Sequence, residues 1–136
     1  ILLFSFFINS PSIAKDPSLL INEIVDEASK VLSSSDLNKL STESELSIIR
    51  KLSEWPNVIF FSASRYEPHR IAFYLNELAQ LFHSLQSLGK IDHSMKFLIE
   101  GDMQLTIARI ALIRSIQIII ISGLKILGVK PIDEML

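Results

Sequence analysis

Cysteine is missing from this sequence, which excludes a disulfide framework and any thiolate-ligated zinc or iron-sulfur site and is compatible with a cytoplasmic setting. Histidine is scarce and scattered, and His69, His83 and His93 stand at no spacing that would hold a metal ion. The four glycines, at 89, 101, 123 and 128, form no loop that could cradle a phosphate. A nucleophile with a positioned base and a carboxylate pair in a metal motif are absent too, so no catalytic residue, metal or cofactor is expected within these residues. Charge of one sign is also lacking. The net charge is −2; residues 1–36 carry two basic and five acidic groups, whereas residues 65–136 carry eight and seven. Nonspecific nucleic-acid binders present a strongly cationic face, so any RNA contact here has to come from local clustering of cations.

What the chain does have is apolar character. Hydrophobic residues make up 49% of its 136 positions and mean hydropathy is +0.37. That is enough to bury one domain core, and it implies that some apolar surface meets a partner. The stretch from Ile110 to Val129 is long enough to suggest a membrane span. Arg114, Gln117 and Lys125 interrupt it, at roughly 2.5 to 3.5 kcal/mol per central charge, so it reads as a buried helix with no membrane contact. The chain opens with the apolar run Ile1 to Ile8 and no initiator methionine, which reads as a cut point in a longer polypeptide. A signal peptide is the competing reading; it lacks a cationic n-region, and Ser10 to Ala14 match a cleavage site only loosely. Residues 1–17 are accordingly set apart as an apolar N-terminal segment, a remnant of a preceding domain, and 18–136 as one helical domain.

Periodicity predicts helices throughout that domain. Asp16-Pro17 caps a first helix over 18–33, with Leu20, Ile24, Ala28, Val31 and Leu32 on one face. Thr42 and Glu45 form a capping box for a second helix, 42–54. After Trp55-Pro56, residues 57–63 suit a short helix or, judged by Val58 to Phe61 alone, a buried strand. A long helix follows from Pro68 to Gly89, with Ile71, Leu75, Leu78, Phe82 and Leu85 as its apolar seam. Beside the seam, Ala72, Asn76, Ala79, His83 and Gln86 form a small and polar stripe that permits close approach of a neighbouring helix. Residues 90–103 read as a polar crossing. The last helix, 104–127, places Ala108, Ala111, Leu112, Ser115, Ile119 and Gly123 on one face and is stopped by Gly128, with Pro131 blocking any restart.

The candidate recognition residues lie at the start of the long helix and in the last one. Arg65, Tyr66, His69 and Arg70 cluster at a helix N-terminus, where free amides and the dipole favour phosphate and a guanidinium can pair with phosphate or stack on a base. Tyr74 lies one turn beyond Arg70. Unpaired RNA loops splay their bases onto aromatic platforms. The competing reading makes Tyr66 and Tyr74 packing residues and pairs Arg70 with Glu67, Glu77 or a helix end. Arg109 and Arg114, five positions apart, cannot share a face and are expected to do different jobs: Arg109 a structural one, Arg114 with Gln117 either a phosphate contact or a tie to a carboxylate. His83 reads as a hydrogen-bonded packing residue, with an RNA contact as the alternative, and Met135 as an exposed thioether on a frayed tail.

Three motifs, in this order and spacing, resemble a known family. They are Tyr66-Glu67-Pro68-His69-Arg70 with Tyr74-Leu75 and Glu77-Leu78; Ala108-Arg109 with Ala111-Leu112 and Arg114; and Gly123-Leu124 with Leu127-Gly128-Val129 and Pro131 ahead of Met135. Together they resemble the C-terminal anticodon-binding domain of arginine-tRNA ligases, the DALR domain, over about residues 42–135. The resemblance implies an all-α bundle of about five helices, of the class I tRNA ligase anticodon-binding type. It also implies a site for the anticodon stem-loop of tRNA-Arg that chiefly reads the central cytosine, built from Arg65, Tyr66, His69, Arg70, Tyr74, Arg114, Gln117 and Met135. A separate catalytic domain, the expected protein partner, would join arginine to the tRNA with ATP; its His-x-Gly-His and Lys-Met-Ser-Lys-Ser type motifs do not occur here. A monomer is expected. Two departures stand out: residues 1–20 lack the family's Tyr-Ala-x-x-Arg type element, and Leu136 follows Met135. A helical protein-interaction module, a standalone RNA-binding cofactor and a degenerate, non-binding fragment of the ligase are the alternatives.

Overall fold

The computed structural model describes residues 37–131; the expected first helix over 18–33, the apolar segment 1–17 and Met135 lie outside the described residues. A single 3-10 turn, Leu37–Lys39, leads into α1 (Glu43–Ser53), α2 (Trp55–Ser64), α3 (His69–Ile91), a second 3-10 turn, His93–Met95, and α4 (Met103–Ile126). No strand occurs among the described residues, so the chain is all-α as expected.

Local chemistry accounts for each boundary. The Glu45 N–H donates to Thr42 Oγ1 (3.4 Å) and the Thr42 N–H donates to Glu45 Oε2 (3.0 Å), closing the capping box that starts α1. Pro56 sits in the first turn of α2, where its missing N–H costs nothing. Residues 57–63 are helical: a lone strand would leave its backbone groups unpaired, whereas the helix satisfies them internally and lays Trp55 against α3. At the end of α4 the Val129 N–H donates to Leu124 O (2.8 Å) and the Gly128 N–H to Lys125 O (3.1 Å), with Gly128 at φ +74°. This is a Schellman stop of the kind the glycine suggested.

The core runs between α1, α3 and α4, with Ile48, Leu78, Leu85, Leu112 and Ala108 almost fully enclosed. The seam of α3 points inward as expected, joined by Tyr74, and Phe82 stacks on Phe97 of the crossing segment at 6.1 Å. The face of α4 read from sequence is buried throughout. At Gly123 an added Cβ would lie 2.7 Å from both Leu75 methyls, so this is where α3 and α4 press together.

Two expectations about α3 need correction. Gly89 does not end the helix, which runs on to Ile91; a Cβ there would sit 3.0 Å from Met95 O, so the glycine admits the His93–Met95 turn against the helix instead. The stripe expected to receive a neighbouring helix faces solvent, since Ala72, Asn76, His83 and Gln86 are exposed and only Ala79 is half-buried. His83 is therefore no packing histidine.

Arg109 is structural, as anticipated, and its partner lies far away in sequence. Its Nε donates to Glu45 Oε1 (2.7 Å), and its Nη1 to Ser94 O (2.7 Å) and Lys96 O (2.6 Å). The side chains of the pair are 4% and 1% exposed. One guanidinium thus ties the α1 cap, the crossing segment and α4. Burial would raise the Glu45 carboxyl, but hydrogen bonds from Thr42 and Arg109 outweigh it and hold the group below its ordinary value.

Candidate nucleic-acid interface

An open cleft of about 530 Å³ lies where the end of α1, α2 and the start of α3 meet. α1 contributes Lys51, α2 contributes Asn57 and Phe61, the α2–α3 turn Arg65, and α3 Arg70, Phe73 and Tyr74. Two aromatic rings are open to solvent, Phe61 at 46% and Phe73 at 65%. The Arg65 guanidinium lies over the Phe61 ring, 5.6 Å from its centre, and His69 stands edge-on to Phe73 at 6.0 Å. Rings that solvent reaches, with guanidinium groups beside them, are suited to stacking unpaired bases and holding their phosphates.

The turn joining α2 to α3 is built under strain. The Glu67 N–H donates to Ser62 O (2.9 Å) and the Tyr66 N–H to Ala63 O (3.2 Å), which puts Tyr66 in the slot a Schellman turn usually gives to glycine, at φ 55°. The buried Ser62 hydroxyl donates to Glu67 O (2.8 Å) and fixes the turn from within. A left-handed non-glycine residue costs about 1 to 3 kcal/mol, and such strain gathers at functional positions. Here it holds the Tyr66 ring 92% exposed beside the cleft residue Arg65.

Charges in the cleft are mixed. Lys51 Nζ lies 2.5 Å from Glu77 Oε2 and 3.0 Å from Glu54 Oε2. Burial opposes its charged form, yet these two carboxylates raise its pKa overall. Arg70 Nε pairs with Glu67, and that hydrogen bond holds Glu67 below the usual carboxylate range.

The sequence-derived site residues are distributed unequally. Arg65, Arg70 and Tyr74 line the cleft, while Tyr66 and His69 stand exposed beside it. Tyr74 is only 3% exposed, so it cannot serve as an open stacking platform: its ring stacks on Trp55 at 5.2 Å, Lys51 Nζ lies 4.9 Å from the ring centre, and its hydroxyl donates to Lys51 O (2.7 Å). It forms the floor, and burial together with the Glu54 charge pushes its hydroxyl pKa well up. Arg114 and Gln117 do not line the cleft; they are joined on α4, Arg114 Nη1 donating to Gln117 Oε1 at 2.8 Å. The side chains that converge on this cleft come from α1, α2, α3 and the turn between the last two. Phe61 and Phe73 escaped the sequence reading. Phe73 had a signal, because a large ring between Ile71 and Leu75 falls off the apolar seam and must face outward.

Residues 20–135 match the DALR anticodon binding domain family, and the chain belongs to that family. The relatives it resembles are arginine-tRNA ligases. It is 48% identical to the arginine-tRNA ligase of Rickettsia felis over 100 residues, which is 74% of this chain and 17% of that one. It is 45% identical to the Ruegeria pomeroyi ligase over 111 residues, 82% and 19% of the two chains, and 41% identical to the Wolbachia pipientis ligase over 114 residues, 84% and 20%. The chain therefore spans only about a fifth of the length of these curated relatives. No solved structure matches it.

Proposed function

We propose that this chain is the tRNA-recognition part of an arginine-tRNA ligase, and that its α2–α3 cleft takes unpaired bases of the tRNA-Arg anticodon loop. The observation that carries this reading is the pair of exposed rings, Phe61 and Phe73, lining one cleft with Arg65 and Arg70, whose positions flank the strained Tyr66 turn. Phe61 and Phe73 stack bases, Arg65 and Arg70 hold phosphate or stack in turn, and Tyr66 and His69 extend the surface. Arg114, Gln117 and Met135 remain candidates for contacts with the stem away from the cleft. Aminoacylation with ATP belongs to a separate catalytic domain of the parent, the second partner, acting in the cytoplasm; this part works as a monomer and needs no cofactor of its own.

The test is a titration of the chain, at several salt concentrations, with tRNA-Arg and with a tRNA that differs at the central anticodon base. Tighter binding of tRNA-Arg, weakening as salt rises, is expected. Equal affinity for both RNAs, or no binding at low salt, contradicts anticodon reading.

A further inference from the structure

The cations that line the cleft are not equally available. Arg65 lies over the Phe61 ring and forms no ion pair among the described residues, and Arg70 shares the open rim with Glu67. Lys51 differs. Its Nζ is within reach of two carboxylates, Glu77 Oε2 at 2.5 Å and Glu54 Oε2 at 3.0 Å, so one positive charge meets two negative ones. Glu77 sits seven residues beyond Arg70 on α3, about 10 Å along the helix at 1.5 Å per residue, which sets this acidic group apart from the α2–α3 turn.

A tie between α1 and α3 would be the ordinary use of such a group, but the arrangement suits it poorly. The Glu54 and Glu77 side chains are 53% and 58% exposed, so their pairs with Lys51 are screened and add little stability. Lys51 is also placed without them. The Tyr74 hydroxyl donates to Lys51 O (2.7 Å) and the Tyr74 ring lies 4.9 Å from Nζ, so the ammonium is held over the cleft floor by α3 itself. A lysine set in a cleft beside exposed rings is ordinarily a phosphate contact. One carboxylate would neutralise it; the second leaves the group net negative and turns phosphate away. We propose that Glu54 and Glu77 mask Lys51 from phosphate, so that the cleft offers cations only near the α2–α3 turn and a strand lying elsewhere along it is repelled. The inference rests on the reading that this cleft takes RNA. A loop whose bases do not stack on Phe61 and Phe73 then gains nothing by sliding onto Lys51, which is specificity obtained by penalising the wrong pose. The net charge of −2 acts in the same direction, against binding by charge alone.

Glu54→Gln combined with Glu77→Gln tests it in the full chain, titrated at several salt concentrations with tRNA-Arg and with a tRNA that differs at the central anticodon base. The mismatched tRNA should bind about fivefold tighter or more, the factor that two screened charges carry. Its logarithmic salt dependence should steepen by about 0.7, the mark of one added phosphate contact on a single strand. tRNA-Arg, already held at Arg65 and Arg70, should gain less, so discrimination falls. Adding Lys51→Met to the double variant should abolish the gain. Unchanged or weaker binding of the mismatched tRNA overturns the proposal, and so does a gain that survives Lys51→Met or one that is equal for both tRNAs. If the double variant melts lower, Glu54→Gln alone, which leaves the pair between α1 and α3 in place, carries the same signs at smaller size. Phe73→Ala, measured alongside, separates this inference from the reading beneath it. Binding indifferent to Phe73→Ala removes the cleft as the RNA site and the masking with it, whereas binding weakened by Phe73→Ala with no gain in the glutamine variant removes the masking alone.

Discussion

Two of the arginine–glutamate pairs among the described residues serve opposite ends. At the junction of α1 and α4, Arg109 and Glu45 are sealed from water, and Arg109 Nη1 donates to the Ser94 and Lys96 carbonyls as well. At the start of α3, Arg70 and Glu67 form a similar pair in the open, at the rim of a cleft with exposed rings. The enclosed pair is one the fold cannot lose, because the partner left behind would be a buried, uncompensated charge. The open pair is screened and replaceable, so its arginine can exchange a carboxylate for a phosphate. The same two residue types thus hold the scaffold in one place and offer a contact in the other, and burial alone decides which.

The comparison breaks most visibly at Arg109. Arg109→Met should cost roughly 3 to 5 kcal/mol by stranding the Glu45 carboxylate, measured by urea unfolding. A loss under 1 kcal/mol, on the order of an exposed pair, would remove the distinction between the two sites. The same pair sets an acid limit. Because the Glu45 carboxyl is held below its ordinary value of 4.5 when folded, the unfolded chain binds the proton first as pH falls. Its contribution is complete above that value and lost as pH drops through the lower folded pKa. Melting temperature between pH 6 and pH 3 should therefore fall less steeply in Arg109→Met than in the parent.

Ser115→Leu comes next. Ser115 is 2% exposed and its hydroxyl donates to Ala111 O (2.9 Å), so a larger side chain overfills the core at roughly 1 to 3 kcal/mol. An unchanged melting temperature would place that face outside the core. On the cleft side the effects should appear in binding. Phe73→Ala should cost about 1 to 3 kcal/mol of tRNA affinity, the worth of one base stack. The smallest effect is expected from Arg70→Ala, with helix content and melting temperature intact and tRNA binding weakened. Unfolding in that variant would make Arg70 part of the scaffold and erase the contrast.

What could be read from the sequence was mostly local. The Thr42–Glu45 box, the inward seam of α3, the packed face of α4 and its Gly128 stop each depend on residues within a turn or two of one another. The family, too, was visible in three short motifs. What could not be read depends on distant partners. Glu45 meets Arg109 across 64 positions, and Tyr74 is enclosed because Trp55 from another helix stacks on it. Gly89 and Gly128 look alike in sequence, yet one admits a turn against its helix while the other ends one. The strained Tyr66 turn was hidden for a related reason, since tyrosine gives no hint of a left-handed backbone.

Whether the cleft holds an unpaired loop is tested most directly by titrating the tRNA-Arg anticodon stem-loop against the parent chain and Phe73→Ala, with both melting temperatures recorded. The result expected is an affinity loss of about tenfold or more with unchanged melting, the equivalent of one lost stack. Equal affinity for the two proteins would contradict the assignment and put the RNA elsewhere on the surface.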